Sequence, residues 1–201
     1  MTVNIDLVTV YHNETNRQQH LALRDAVAEH EPNGGYRYIG VDNRTCNRGF
    51  AAGCNLGAFH PEATAPIIGF LNPDVTVSGP FIATVKASLK PPVVITGCRY
   101  GKSAHELDLW GVTDWVCGAA FFVERKWFQA VGGFDVQFVW SWEETDLIRQ
   151  AQDQGLRCQS IELPIGHQSP TEDEPKDVTY KRYNFDQGQK RFARKWGRRR
   201  I

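Results

Sequence analysis

The stretch "IIGFLNPD", residues 67–74, is the one from which the fold can be read. Ile67–Leu71 is a short, continuous apolar run, as in a strand buried on both faces. Pro73 ends it, because proline brings no amide hydrogen to a ladder and pushes Asn72 toward extended geometry. A core strand therefore finishes by presenting an amide and then the carboxylate of Asp74. That ending suits an open α/β sheet, where ligands sit beyond the carboxyl ends of the strands. By itself Asp74 also fits a plain turn former, since Asp and Asn bond their own backbone.

Working outward, residues 3–11 read as a second buried strand, and Thr15 with Gln18 forms a capping-box pattern that predicts a helix over 15–30. Pro32 and Gly34–Gly35 stop that helix before a strand at 36–41, which completes a βαβ start. Residues 49–59, "GFAAGCNLGAF", predict a small-residue helix able to pack closely. Beyond Asp74, Ser78, Gly79 and Pro80 are expected to cap a helix to about residue 90. Then come a strand at 93–97, a polar loop over 99–113, a long core strand at 116–124 and a short helix from Arg125.

In "EETDLIRQAQDQG", 143–155, Leu147, Ile148 and Ala151 share one helical face and Gly155 marks the stop. The last strand is expected at 157–163, a loop or lid at 168–177, and a closing helix at 178–196 with Tyr180, Tyr183, Phe192 and Trp196 as its apolar contacts. The order predicts a single α/β domain over 1–177, with a mostly parallel central sheet flanked by helices. Residues 178–201 form a basic helix or tail packed on it or extending from it.

Composition agrees with one globular domain. The 201 residues are 41% hydrophobic and 23% charged, enough for a real core and against wholesale disorder. Acidic and basic residues balance at 23 each, yet 181–201 carry nine basic residues against Asp186 alone, which permits an anionic contact near the C-terminus. Five cysteines without a CxxC pair suit reduced thiols. Asp6 interrupts the first apolar segment, no small-residue cleavage site follows, and no run approaches the ~20 apolar residues of a membrane span, so a cytoplasmic protein is expected.

Several polar side chains fall at expected strand or helix ends. Asp42 ends a strand of the βαβ unit, where a carboxylate can accept bonds from a nucleotide base or ribose. His167 follows the last strand in "LPIGHQSP", and a neutral imidazole is a ready ligand for a divalent ion. Glu143, Glu144 and Asp146 follow "FVWSW" and open a helix, where acids complement the macrodipole. Beside Trp140 and Trp142 they equally suit a general base next to a sugar-binding aromatic platform.

Taken in order, "VTVYHN" (8–13), "VDNRT" (41–45), "NRGFAAGCNLG" (47–57), "FLNPD" (70–74), "VCGAAFFVERKWFQAVGGFD" (116–135) and "WEETDLIRQAQDQGLR" (142–157) resemble the family 2 glycosyltransferases, especially their rhamnosyltransferase-like branch. The resemblance implies a GT-A, Rossmann-like fold, a nucleotide-diphosphate sugar donor, and a divalent metal, Mn2+ or Mg2+. It implies that Asp42 meets the donor base or ribose, with Thr9, Tyr11 and Asn55 in the same pocket. "NPD" looks like a DxD-type motif, so Asp74 would bind metal and donor diphosphate, Asn72 would replace the first acid, and His167 would be the late metal ligand.

"EETD" resembles the family's EDxD, which gives Glu144 or its neighbour Glu143 the role of base and Asp146 that of orienting the acceptor. Trp115, Cys117 and Gly118 match the floor of the acceptor site, with Trp142 beside it. The acceptor itself is open among a glycan, a lipid-linked saccharide, a protein and a modified nucleic acid. One departure stands out: 41–45 runs almost directly into 47–57, where the family has another strand, so an edge strand is expected to be missing.

Two other classes compete. A sugar nucleotidyltransferase would place a glycine-rich phosphate loop after the first strand, and "YHNETNR" has no glycine. A non-enzymatic module would dock "KRFARKWGRRR" on nucleic acid or an anionic surface through salt-sensitive phosphate contacts.

Overall fold

The computed structural model describes residues 2–100, 111–139, 141–167 and 178–197. Its strands are β1 (Ile5–Tyr11), β2 (Tyr36–Asp42), β3 (Ile67–Leu71), β4 (Val75–Val77), β5 (Val93–Gly97), β6 (Ala120–Glu124), β7 (Arg157–Ser160) and β8 (Ile165–His167). Six form one sheet in the order β2-β1-β3-β6-β5-β7. β1 pairs in parallel with β2 and β3, and β5 with β7, while β6 lies antiparallel between β3 and β5. The sheet is thus mixed and mostly parallel, as expected. β4 and β8 make a separate antiparallel pair.

Alternation along the strands supplies two cores. Val8, Val10, Ile68 and Phe70 point toward α2 (Phe50–Ala58), α4 (Arg125–Ala130), α5 (Glu143–Asp153) and α6 (Val178–Trp196). Ile5, Leu7, Ile67 and Leu71 point toward α1 (Glu14–His30) and α3 (Ile82–Ser88). The small face of α2 has a measurable cause: a Cβ on Gly53 would lie 2.6 Å from Val10 Cγ1, and one on Gly57 2.4 Å from Val8 Cγ1. The helix rests directly on β1 because nothing stands between them.

Several boundaries differ from the sequence expectation. α1 is capped by Asn13, whose side chain accepts from the Asn16 amide at 2.7 Å, so the Thr15 capping box is not used. α3 starts only at Ile82, and its first amides are satisfied from another helix end: Glu31 Oε1 accepts from Phe81 N and Ile82 N at 2.6 and 2.8 Å. β6 begins at Ala120 rather than 116, because residues 117–119 turn into the rim and bond Cys98 and Asn72.

The strand expected over 157–163 stops at Ser160, and the chain then forms β8 against β4. Phe192 of α6 is fully buried and Trp196 packs against the same core, whereas Tyr183 is 61% exposed. Residues 43–49 form no strand, which leaves β2 as a sheet edge. The loop or lid of 168–177 and most of the 99–113 loop lie outside the described residues, as does Trp140.

At the end of the sheet away from the β3 carboxyl terminus lies a buried ion pair. Arg125 Nη2 donates to Asp6 Oδ2 at 2.7 Å, Nη1 to Ala58 O at 2.7 Å, and Nε to Ala65 O. Ala65 N completes the cluster by donating to Asp6 Oδ2 at 2.8 Å.

Candidate active site

The carboxyl ends of β1, β2 and β3 share one rim, since Tyr11 stands opposite Asp42 and Leu71 follows directly into Asn72. Because β6 is antiparallel, its entry also reaches that rim: Leu71 pairs with Ala120, and Asn72 N donates to Ala119 O at 2.8 Å. The NPD turn is closed by Val75 N donating to Asn72 O. β4 then pairs Val75 with His167, and that register sets Asp74 Oδ2 3.3 Å from His167 Nε2. Tyr100 braces the histidine, its ring 5.4 Å away and its hydroxyl donating to Ile165 O at 2.9 Å.

Cys117 precedes the β6 entry, its amide donating to Cys98 O at 2.9 Å. Burial pushes its thiol up to about 12, and the charges of Glu144, Cys98 and Asp74 add to that rise. Gly118 backs onto Glu144, where a Cβ would stand 3.4 Å from the carboxyl carbon. Trp115 Nε1 donates to Thr145 Oγ1 at 3.2 Å and holds the first turn of α5 against this floor.

The entry into α5 is strained. Ser141 and Trp142 both adopt left-handed backbone, with φ of 67° and 78°, and such non-glycine residues cost of order 1–3 kcal/mol each. Glu143 and Glu144 follow at once, and each is only 6% exposed. Burial raises both: Glu144 to about 7, and Glu143 well above the ordinary 4.5, the Glu144 charge adding to the second. Burial pushes the Cys54 thiol of α2 up and Glu143 adds to that rise, while Glu143 Oε2 finds no hydrogen-bond partner among the described residues.

Those raised values carry a stability signature. Between the ordinary value of 4.5 and the folded values, the native state holds protons that the unfolded chain has released. Stability is therefore full below 4.5 and is lost as pH rises through the folded range. Glu143→Gln is expected to match the parent in urea unfolding under acid conditions and to exceed it above neutrality. Curves that run parallel across the whole pH range would contradict this.

Metal ligation can be judged from the donors present. No group of three or more His, Cys, Asp or Glu suited to a metal occurs among the described residues. Asp74 and His167 nevertheless form a two-residue donor set, and Asp74 Oδ1 and Asn72 Oδ1 are buried without hydrogen-bond partners among the described residues. Unsatisfied buried oxygens next to an imidazole fit a divalent cation that takes its other ligands from a bound phosphate.

Other expected site residues are differently placed. Asp42 is exposed and is engaged by Arg44, which forks onto both carboxylate oxygens at 2.7–3.2 Å, holds its carboxyl at about 2, reaches Glu14 at 2.7 Å and covers the Tyr11 ring at 5.6 Å. The other neighbour of Tyr11 is His20, stacked at 4.8 Å. Thr9 is fully buried, its hydroxyl donating to Tyr38 Oη at 3.0 Å, which leaves no surface for a donor. The Asn55 amide is used by the backbone of Phe134, accepting and donating at 2.9 Å, so it clamps α2 rather than opening to the rim.

Trp142 is 0% exposed and packs on Phe185 and Phe192 of α6, so it is core and not an acceptor platform. Asp146 is 1% exposed and is turned to α6, where Lys195 Nζ and Trp196 Nε1 donate to it at 2.8 and 2.7 Å. Sequence reading did not single out Arg44, Tyr100 or Glu31. For Arg44 a signal existed, a cation two residues after the strand-end acid.

A 460 Å³ apolar groove lies apart from this rim, lined by Leu56, Phe59, Val136 and their neighbours on the outer face of α2. No helix among the described residues is long and apolar enough to cross a membrane.

No protein-family model and no curated protein sequence matches the chain. Solved structures do. A Drosophila β1,4-galactosyltransferase 7 mutant complexed with manganese, UDP-Gal and xylobiose is 14% identical with a TM-score of 0.60, over 90% of this chain and 80% of that one. The galactosyltransferase LgtC, complexed with donor and acceptor sugar analogs, is 10% identical at 0.54, over 94% and 95%. A glycosyltransferase involved in glycosylating the major capsid of PBCV-1 is 9% identical at 0.55, over 93% and 99%. At such identities the likeness is one of architecture: the chain has the GT-A glycosyltransferase fold.

Proposed function

We propose that this chain is an inverting, family 2-like glycosyltransferase that moves a sugar from a nucleotide-diphosphate sugar to an acceptor hydroxyl. The observation that supports this best is convergence at the carboxyl end of a GT-A sheet: Asp74 lies beside His167, and Glu144 packs on Gly118, the neighbour of Ala119, to which Asn72 is bonded. The neighbours crystallised with a sugar nucleotide or with sugar analogs point the same way. The narrower rhamnosyltransferase-like placement rests on the sequence motifs alone.

In this reading Tyr11, Asp42 and Arg44 line the side that takes the nucleoside. Asp74 and His167, with Asn72 beside them, would hold Mn2+ or Mg2+, which when bound supplies positive charge against the departing diphosphate. Glu144, titrating near neutrality, takes the proton of the acceptor hydroxyl. Gly118 leaves room for that hydroxyl, and Trp115 and Cys117 form its floor. Burial and the Glu144 charge both raise Glu143, which favours its neutral form behind Glu144. Attack from the face opposite the leaving group inverts the anomeric carbon, and no side chain is assigned as a covalent nucleophile. The five free cysteines suit a reducing, cytoplasmic setting. Acceptors in this reading are hydroxyls of a glycan, a lipid-linked saccharide, a protein or a modified nucleic acid.

The test is a panel of nucleotide sugars screened by thermal shift with and without manganese, since only a ligand of the folded state raises its melting temperature by mass action. At least one donor is expected to stabilise the protein, and more so with manganese. Asp74→Ala is expected to remove the manganese-dependent part. A flat panel, or an Asp74→Ala response equal to the parent's, would defeat the reading.

A further inference from the structure

The basic C-terminal helix is charged enough to suggest a separate docking role, but its inner face does something more specific. α6 meets the entry of α5 at three points. Gly188 lies on the strained turn, where a Cβ would come within 2.6 Å of Trp142 Cδ1 and 3.1 Å of Ser141 O. Phe192 is fully buried, its ring 5.2 Å from that of Trp142. One turn into α5, Asp146 accepts from Lys195 and Trp196 of α6 and from Gln150 of its own helix, with bonds of 2.7–2.8 Å.

Lys195 and Arg191 also reach Asp135 at 3.2 and 3.6 Å, and both cations lie over Phe138. Glu143 and Glu144 sit between the gripped turn and the gripped aspartate. A left-handed pair with no side-chain cap is not self-supporting, so an outside element must fix it.

We infer that α6 is a positioning element of the active site: Trp196 and Lys195, acting through Asp146, fix the first turn of α5 and with it the aim of Glu144. This rests on the transferase reading for its chemistry, but not for its mechanics. A carboxylate displaced by about 1 Å can lose on the order of a hundredfold in rate while donor contacts on the far side of the rim are untouched.

The experiment uses the full chain with Trp196→Phe, which keeps the ring but loses the indole N–H, and Lys195→Met, with Lys195→Arg as the conservative control. Two readouts are taken: amide hydrogen exchange over 143–146, and kcat with donor KM. Both test variants are expected to exchange faster over 143–146 while β1 and β3 stay protected. Turnover should fall about tenfold or more with donor KM within about twofold. Lys195→Arg should restore most of the loss.

Exchange over 143–146 equal to the parent's in both variants would overturn the inference. So would a fall in turnover accompanied by an equal rise in donor KM and uniform loss of protection, which marks a helix that merely stabilises the fold. If the parent transfers sugar from no donor, the transferase reading fails, while the exchange arm still decides the mechanical claim.

Discussion

Glu144→Gln is expected to lower the turnover of sugar transfer by ~10²–10⁴, the usual worth of a positioned general base, with donor affinity within about twofold of the parent. The change is nearly isosteric, so it keeps contact with Gly118 and the first turn of α5 while removing the ability to take a proton. In the proposed reading the selectivity follows from role: Glu144, packed against Gly118, serves the acceptor, and Asp74 with His167 serves the donor. Isothermal titration with the donor found by thermal shift gives the affinity, and product formation under saturating donor gives the turnover. Near-normal turnover would move the base to Glu143 or remove it from α5.

The activity of the parent should also rise with pH through the range in which Glu144 titrates near 7, because the base works only when ionised. Burial is the chief cause of that elevated value. The rate therefore has an acid limb in the same window where the buried pair costs the fold stability.

The second large effect is one of folding. Asp6→Ala is expected to destabilise the chain by about 3–5 kcal/mol, since it strands the Arg125 guanidinium beneath the sheet without its counter-charge. Whole domains hold only about 5–15 kcal/mol, so the variant approaches the limit of folding at ambient temperature. Asp6→Leu combined with Arg125→Met should recover most of the loss, because the desolvation of both charges disappears together. Urea unfolding of the parent and the two variants decides it. A single variant within about 1 kcal/mol of the parent would show that water reaches Arg125.

The order of the elements could be read from sequence because each carries its own period and punctuation. Pro73 ends β3, Gly155 ends α5, and the small residues of α2 are explained by contact with Val8 and Val10. What failed were features decided by tertiary partners. Glu31 caps α3 from 50 residues away, and no local pattern reveals that. β8 is three residues long and exists because β4 is beside it.

The positions of the candidate residues were legible in part for the same reason. Asp74, His167 and Glu144 sit where strand ends and a helix start put them. Trp142 and Asp146 look like site residues in "WEETD" until α6 folds over them, since an exposed aromatic and a buried one have the same letter. Arg44 shows the converse case, a residue whose place at Asp42 depends on a side chain reaching back across a turn.

The antiparallel course of β6 has a bearing on how such a chain can diversify. The Asn72 amide donates to Ala119 O and the Cys117 amide to Cys98 O, so the entry to β6 is bonded to the end of β3 on one side and to the end of β5 on the other. Both bonds are made by main-chain atoms, so side chains along this rim can be exchanged without loosening it, which makes it a natural place for new specificity to arise during evolution or in the laboratory.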